Sequence, residues 1–155
     1  MEPKRILIAM SGGVDSSVAA SLLKEEGYNC IGATMRLFDN SILPQEQESS
    51  CCSLDDVEDA RSVAHRLGMH YYVFNFSEGF REKVIDKFVR CYECGATPNP
   101  CVDCNRHLKF QQLLDRALTL ECDYIATGHY ARIRQDCATG RYLLYKALDS
   151  AKDQS

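Results

Sequence analysis

The sequence predicts an α/β fold in which a parallel sheet carries helices on both faces and the chain ends in a short hairpin. Arg5 to Met10, Tyr28 to Phe38, Tyr71 to Phe76 and Tyr124 to Thr127 are apolar, β-branched or aromatic runs of strand length, with helix-period segments between them. That alternation predicts parallel strands joined by right-handed crossovers. Two further short runs, Ala131 to Arg134 and Tyr142 to Lys146, flank a Thr139-Gly140 turn and predict the hairpin.

Arg5 to Met10 suits a strand buried on both faces. A helix follows from near Ser16, with Val18, Ala19, Leu22 and Leu23 on one side and Gly27 as its stop. In the second strand Cys30, Ile31, Ala33 and Met35 supply apolar contacts around Gly32. Residues 39–50 are polar and non-periodic, with Pro44 and a Gln/Glu cluster, and predict a mobile loop beside the ligand site. Ser53 to Asp56 matches a capping box for a helix carrying Val57, Ala60, Ala64 and Leu67 to Gly68. Phe80, Val84 and Phe88 mark a third helix after Ser77. The stretch Gly95 to Pro100 breaks the pattern, and Phe110, Leu113, Leu114, Ala117 and Leu118 define a further amphipathic helix.

Length and composition narrow the class. With 155 residues and 45% hydrophobic content the chain supports one domain with its own core. No run of about 18 apolar residues is present, and no apolar leader precedes the first strand, which predicts a cytoplasmic protein with no membrane partner. Nine cysteines without a secretory signal point to metal, cluster or redox chemistry rather than a disulfide framework. The net charge of −4 excludes a domain that holds nucleic acid by bulk electrostatics alone. Local basicity exists around Arg81, Lys83, Lys87 and Arg90 and at Arg106 and Lys109, but such runs are ordinarily solvated helix faces.

In such sheets ligands bind at the carboxyl ends of the strands, which here carry Met10 to Ser16, Met35 and Thr127 to His129. The first of these is a phosphate trap. In Ser11-Gly12-Gly13-Val14-Asp15-Ser16-Ser17 the glycines let backbone N–H groups approach an anion, and the next helix adds its unpaired donors and dipole. The chain contains neither G-x-x-x-x-G-K-[ST] nor G-x-G-x-x-G, so this is not a Walker or a dinucleotide loop. An ordinary βα turn is the alternative.

Cys91-Tyr92-Glu93-Cys94 and Cys101-Val102-Asp103-Cys104 form two C-x-x-C pairs six residues apart, which could close a tetrahedral zinc site in a zinc-stabilised binding module. Cys91 and Cys94 read equally as ordinary residues at a helix end. Cys104 reads as standing immediately before a helix with Arg106, His107 and Lys109 near its start, a setting that favours thiolate over thiol.

SGGVDSS resembles the signature of the PP-loop ATP pyrophosphatases, which cleave ATP between the α and β phosphates. Thr97-Pro98-Asn99-Pro100, Cys104-Asn105 and Lys109-Phe110 resemble the T-P-N-P-x-x-x-C-N-x-x-x-K-F signature of the tRNA-specific 2-thiouridylases. Tyr124-Ile125-Ala126-Thr127-Gly128-His129-Tyr130 and Lys152-Asp153-Gln154-Ser155 resemble two further motifs of that family, and Ala33-Thr34-Met35 another. The resemblance implies a Rossmann-like, adenine nucleotide alpha hydrolase-like sheet. It implies ATP-dependent 2-thiolation of the tRNA wobble uridine, through adenylation of the C2 oxygen and sulfur transfer from a cysteine persulfide. Amide-forming PP-loop ligases are the alternative within the superfamily.

What the resemblance implies for residues is specific. Ala9, Met10, Ser11, Gly12, Gly13, Val14, Asp15 and Ser16 would bind ATP, with Met35 and Gly128 lining the nucleotide pocket and Asp15 holding Mg²⁺. Cys104 would be catalytic, carrying the sulfur. Asn99, Pro100 and Cys101 would face the target base, and His129, Lys152, Asp153 and Gln154 would touch tRNA. A sulfur-donor protein is the implied second partner.

Two departures from the family pattern are visible. Cys101 stands where many thiouridylases have Asp, which opens the alternative of an iron–sulfur cluster on Cys101, Cys104 and a third cysteine. The chain also reaches Ser155 inside the K-D-Q-S motif, so residues 1–155 read as a nucleotide-binding and catalytic domain truncated at its C-terminal end, without the family's later domains. The family's second catalytic cysteine would then be absent, and the expectation is ATP binding with little or no turnover.

Overall fold

The computed structural model describes residues 3–37 and 54–154. The loop predicted over residues 39–50 and the capping Ser53 lie outside the described residues. Four parallel strands form the main sheet: β1 (Arg5–Ala9), β2 (Asn29–Arg36), β3 (His70–Asn75) and β4 (Tyr124–Ala126), in the order β3-β2-β1-β4. β1 pairs with β2 from Arg5↔Asn29 to Ala9↔Ala33 and with β4 from Ile6↔Tyr124 to Ile8↔Ala126. Strand order therefore runs outward from β1 to β3 and then returns to β1's other edge. That reversal is a topological switch point between β1 and β4.

Both faces of the sheet are covered, as the apolar runs require. Successive side chains of β1 alternate, with Ile6, Ile8 and Met10 on one side and Leu7 on the other. The first face packs on α1 (Val14–Glu25) and α2 (Leu54–Arg66) through Ala20, Ala60 and Ala64. The second face packs Leu7, Ile31, Ala33 and Met35 against Val84, Leu108, Leu113 and Ala117. These last four belong to two composite helices. One runs through α3 (Ser77–Phe80), the π-helical π1 (Arg81–Ile85) and α4 (Asp86–Glu93). The other runs through α5 (Pro100–Cys104), π2 (Asn105–Gln112) and α6 (Leu113–Thr119). A separate antiparallel hairpin of β5 (Arg132–Gln135) and β6 (Tyr142–Tyr145) follows, as the Thr139-Gly140 turn predicts.

One element starts earlier than the sequence reading has it. Asn99 caps the helix at Pro100, its Oδ1 accepting from the Cys101 and Val102 N–H groups at 3.1 and 3.3 Å. Cys104 therefore lies a full turn inside a helix and does not precede one. The missed signal is Asn-Pro, a capping residue followed by a proline at the first helical position, where its absent N–H is harmless.

Candidate functional site at the sheet switch point

The phosphate loop is held from within and from behind. Gly12 adopts φ +79, a conformation open to glycine, and a Cβ there would lie 2.6 Å from the Asp56 carbonyl oxygen at the start of α2. The buried Ser16 hydroxyl donates to the Gly13 carbonyl at 3.1 Å and accepts from the Ser11 N–H at 3.3 Å. Ser17 Oγ also donates to Gly13 O at 2.9 Å. Behind the loop, Met10 N–H donates to Ala33 O at 2.8 Å, and Thr34 Oγ1 donates to Met10 O at 2.7 Å. Thr34 in turn accepts from the Tyr71 hydroxyl at 2.6 Å, which also lies 3.2 Å from the Val57 carbonyl of α2. Gly13 at the N-cap of α1 has no side chain to cap with, which leaves first-turn N–H groups to an incoming anion.

The strand ends converge on a crevice of about 670 Å³. Of the residues implied to bind ATP, Ala9, Met10, Ser11, Gly13, Asp15, Ser16, Met35 and Gly128 line it. Gly12 and Val14 instead face a second cleft between α1 and α2. Cys101 and Cys104 line the crevice, as do His129 and Gln154, whereas Asn99 and Pro100 serve the helix start and Lys152 and Asp153 stand off its wall. Sequence reasoning had no signal for Leu37 and Asp56 as lining residues, since neither belongs to a motif at a strand's carboxyl end. Asn105, Lys109 and Thr127 were inside quoted motifs but without a role.

The β4 loop seals one side by close approach. A Cβ at Gly128 would lie 2.6 Å from the Ser16 backbone nitrogen, so only glycine lets residues 127–129 sit on the first turn of α1. Next to it His129 Nδ1 and Thr127 Oγ1 are 2.6 Å apart. Burial, and secondarily the Lys109 charge, push the His129 imidazole below its ordinary pKa and keep it neutral. Tyr130 Oη donates to Asp15 Oδ1 at 2.8 Å, which pushes the phenol pKa up. Lys152 Nζ stands 3.8 Å from Asp15 Oδ2 and 5.5 Å from the Tyr130 ring centroid. Gln154 completes the group, accepting from Tyr130 N–H at 3.1 Å and donating its own N–H to Tyr130 O at 3.0 Å.

The cysteines divide by environment. Cys30 and Cys122 are buried, and desolvation pushes both thiols up. Cys91 lies in α4 and Cys94 at its C-cap, away from the crevice. Among the described residues no three His, Cys, Asp or Glu side chains gather as a metal group, so the four-thiolate zinc site read from spacing does not form there. The turn bearing Cys101 and Cys104 is anchored instead by Asp103, a buried carboxylate paired with Lys87 Nζ of α4 at 2.6 Å.

A glycine–serine loop at the switch point of a parallel sheet, with a crevice above it, defines a phosphate-loop α/β domain. The model of the tRNA methyl transferase HUP domain family matches residues 4–155, and the chain belongs to that family. It is 55% identical over 98% of its length to the tRNA-specific 2-thiouridylase MnmA of Clostridioides difficile, covering 42% of that protein. With the protein of the same name from Symbiobacterium thermophilum it shares 58% identity, over 98% of this chain and 40% of the relative. The chain thus spans about four-tenths of the length of these relatives. Among solved structures it resembles the NH3-dependent NAD synthetase of Campylobacter jejuni, with TM-score 0.53 and 17% identity over 83% of this chain and 49% of the other. That likeness speaks for the sheet and its helices alone. Among the described residues no helix is long and apolar enough to cross a membrane.

Proposed function

We propose that residues 1–155 form the nucleotide-binding and catalytic domain of a tRNA 2-thiouridylase, acting on the wobble uridine with ATP as co-substrate. The observation that carries this reading is the meeting of the phosphate loop with Cys104 and Cys101 in one crevice. A loop of backbone donors and hydroxyls suits a departing pyrophosphate, and a thiol in the same crevice suits attack on the carbon activated by adenylation. In sequence, ATP would adenylate the C2 oxygen of uridine with release of pyrophosphate. The terminal sulfur of a persulfide on Cys104 would then bond to C2 as AMP leaves with the oxygen. A second thiol finally takes the Cys104 sulfur into a disulfide and frees the thiocarbonyl.

Asp15, in the first turn of α1 beside the loop, fits a Mg²⁺ held together with phosphate oxygens. Such a cation would neutralise charge on the pyrophosphate as it departs. The iron–sulfur alternative fits less well: Cys101 and Cys104 share the crevice, but no third ligand gathers with them among the described residues. Cytoplasmic tRNA and a sulfur-donor protein would be the partners.

The test is to charge the chain with a persulfide donor such as glutathione persulfide, add ATP, Mg²⁺ and tRNA bearing a wobble uridine, and analyse nucleosides and AMP. AMP formed only with that tRNA, or 2-thiouridine up to one per chain, supports the reading. Consumption of ATP with a carboxylate substrate and none with tRNA would favour an amide-forming ligase. In a longer relative, loss of thiolation in Cys104→Ser with retention in Cys101→Asp would favour the persulfide over the cluster.

A further inference from the structure

Lys109 is the only Lys or Arg among the described residues that line the crevice. It is half-buried, and among the described residues no carboxylate pairs with its ammonium. It lies four residues after Asn105, a helical spacing that keeps the two on one face, and the π-helical stretch turns it toward Cys104 as well. Five residues along an α-helix carry a side chain roughly 140° past a full turn, which would set Lys109 away from Cys104. The i→i+5 pattern of π2 brings residues five apart nearly onto one side, and Cys104, Asn105 and Lys109 all face the crevice.

The crevice has two unlike walls. The phosphate loop and α1 belong to the sheet face packed through Ile6, Ile8 and Ala20, whereas the helix carrying Cys104 and Lys109 packs on the opposite face through Leu108 and Leu113. The loop wall offers partial charges from N–H groups and hydroxyls. The thiol wall offers one whole positive charge, already felt by the His129 imidazole.

We propose that Lys109 binds the phosphate that stays on the nucleoside, the α-phosphate of ATP and later of the adenylate, while the loop binds the two phosphates that leave. This rests on the nucleotide reading above. The α-phosphate joins the adenosine to the activated base, so it must lie toward the thiol wall when a crevice thiol faces that base. An oxyanion half-withdrawn from water there requires a full charge or several donors, and Lys109 is the group in place to supply it.

Ligand-observed NMR titrations of the chain with ATP, AMP, adenosine and pyrophosphate test this, comparing the wild type with Lys109→Met and Lys109→Arg. Circular dichroism melts confirm that each variant folds. Lys109→Met should weaken AMP and ATP about ten-fold or more while adenosine and pyrophosphate bind as before, and Lys109→Arg should recover most of the loss. Unchanged AMP affinity in Lys109→Met overturns the assignment, as does an equal loss for adenosine, which would reflect shape. A loss confined to pyrophosphate overturns it too, by moving Lys109 to the departing phosphates. Should the wild type bind no ATP, the nucleotide reading itself falls and the assignment with it, an outcome visible before any variant is made.

Discussion

Tyr130 donates a hydrogen bond from its phenol to the carboxylate of Asp15 at 2.8 Å, joining the loop after β4 to the first turn of α1. The same tyrosine is bonded through its backbone to Gln154 in both directions, and Lys152 Nζ lies 3.8 Å from Asp15 Oδ2, so segment 152–154 is tied to the phosphate loop through the ring and this ion pair. Removing only the hydroxyl leaves that packing and the Lys152 ion pair in place but takes away the shorter of the two contacts that hold the Asp15 carboxylate. Tyr130→Phe should weaken binding of ATP with Mg²⁺ about three- to ten-fold and leave binding without Mg²⁺ nearly unchanged. Calorimetric titration with and without the cation checks it, and equal losses in both would assign the tyrosine to the fold alone.

Gly12 and Gly128 make the two backbone contacts that shape the crevice from either side. Gly12→Ala meets the Asp56 carbonyl and an unfavourable φ together, and Gly128→Ala meets the α1 backbone, which cannot swing aside as a side chain would. Each should cost about 1–3 kcal/mol of stability, measured by urea unfolding. Gly140→Ala is the control for positive φ without crowding, since nothing lies within 4 Å of its added carbon.

Lys87→Met strips the partner from a carboxylate buried to 7% exposure. The half-exposed Lys87 limits the loss, and about 1–2 kcal/mol is expected. The double change with Asp103→Asn should recover part of it, because a neutral amide needs no counter-ion. Failure of that recovery in unfolding experiments would show that Lys87 acts through packing.

His129 supplies a signed pH dependence. Its pKa in the folded chain lies below the ordinary 6.5, so the unfolded chain binds more protons just below that value. Stability is fully present above about pH 6.5 and is lost as pH falls from there toward the folded-state value. The melting temperature should therefore drop between pH 7 and pH 5, and less steeply in His129→Gln. Parallel curves for the two proteins would remove His129 as the cause.

Thiol labelling should sort the cysteines by burial. Exposed Cys94, Cys101 and Cys137 should alkylate with iodoacetamide rapidly at pH 8, and buried Cys30 and Cys122 only on unfolding. Peptide mass spectrometry with time resolves the two classes.

The sheet was legible because each strand is a short apolar or aromatic run and each crossover a 3.6-period segment, two signals that local chemistry writes plainly. The crevice was legible wherever a motif sits at a strand's carboxyl end, as with Ser11, Gly128 and His129. It was not legible at Asp56, which arrives only because α2 packs its first turn on Gly12, a contact between segments more than 40 residues apart. The orientation of Gly12 and Val14 toward the α1–α2 cleft is likewise a matter of tertiary placement. Pro100 misled for a local reason: proline ends a helix when it follows one and opens a helix when Asn99 caps it. The π-helical turns left no trace in the spacing, because Leu108 and Leu113 are five apart and only Leu113 falls in the 3.6-period pattern with Phe110, Leu114, Ala117 and Leu118.

The chain of contacts from Met10 O through Thr34 to Tyr71 bears on the thermodynamics of binding rather than on its chemistry. A loop fixed at its root by buried hydrogen bonds is ordered during folding, so an arriving anion need not order it again. Ligand capture by such a loop should show a small entropic penalty. Thr34→Val would transfer that penalty from folding to binding, loosening the loop without touching a single group that meets the ligand.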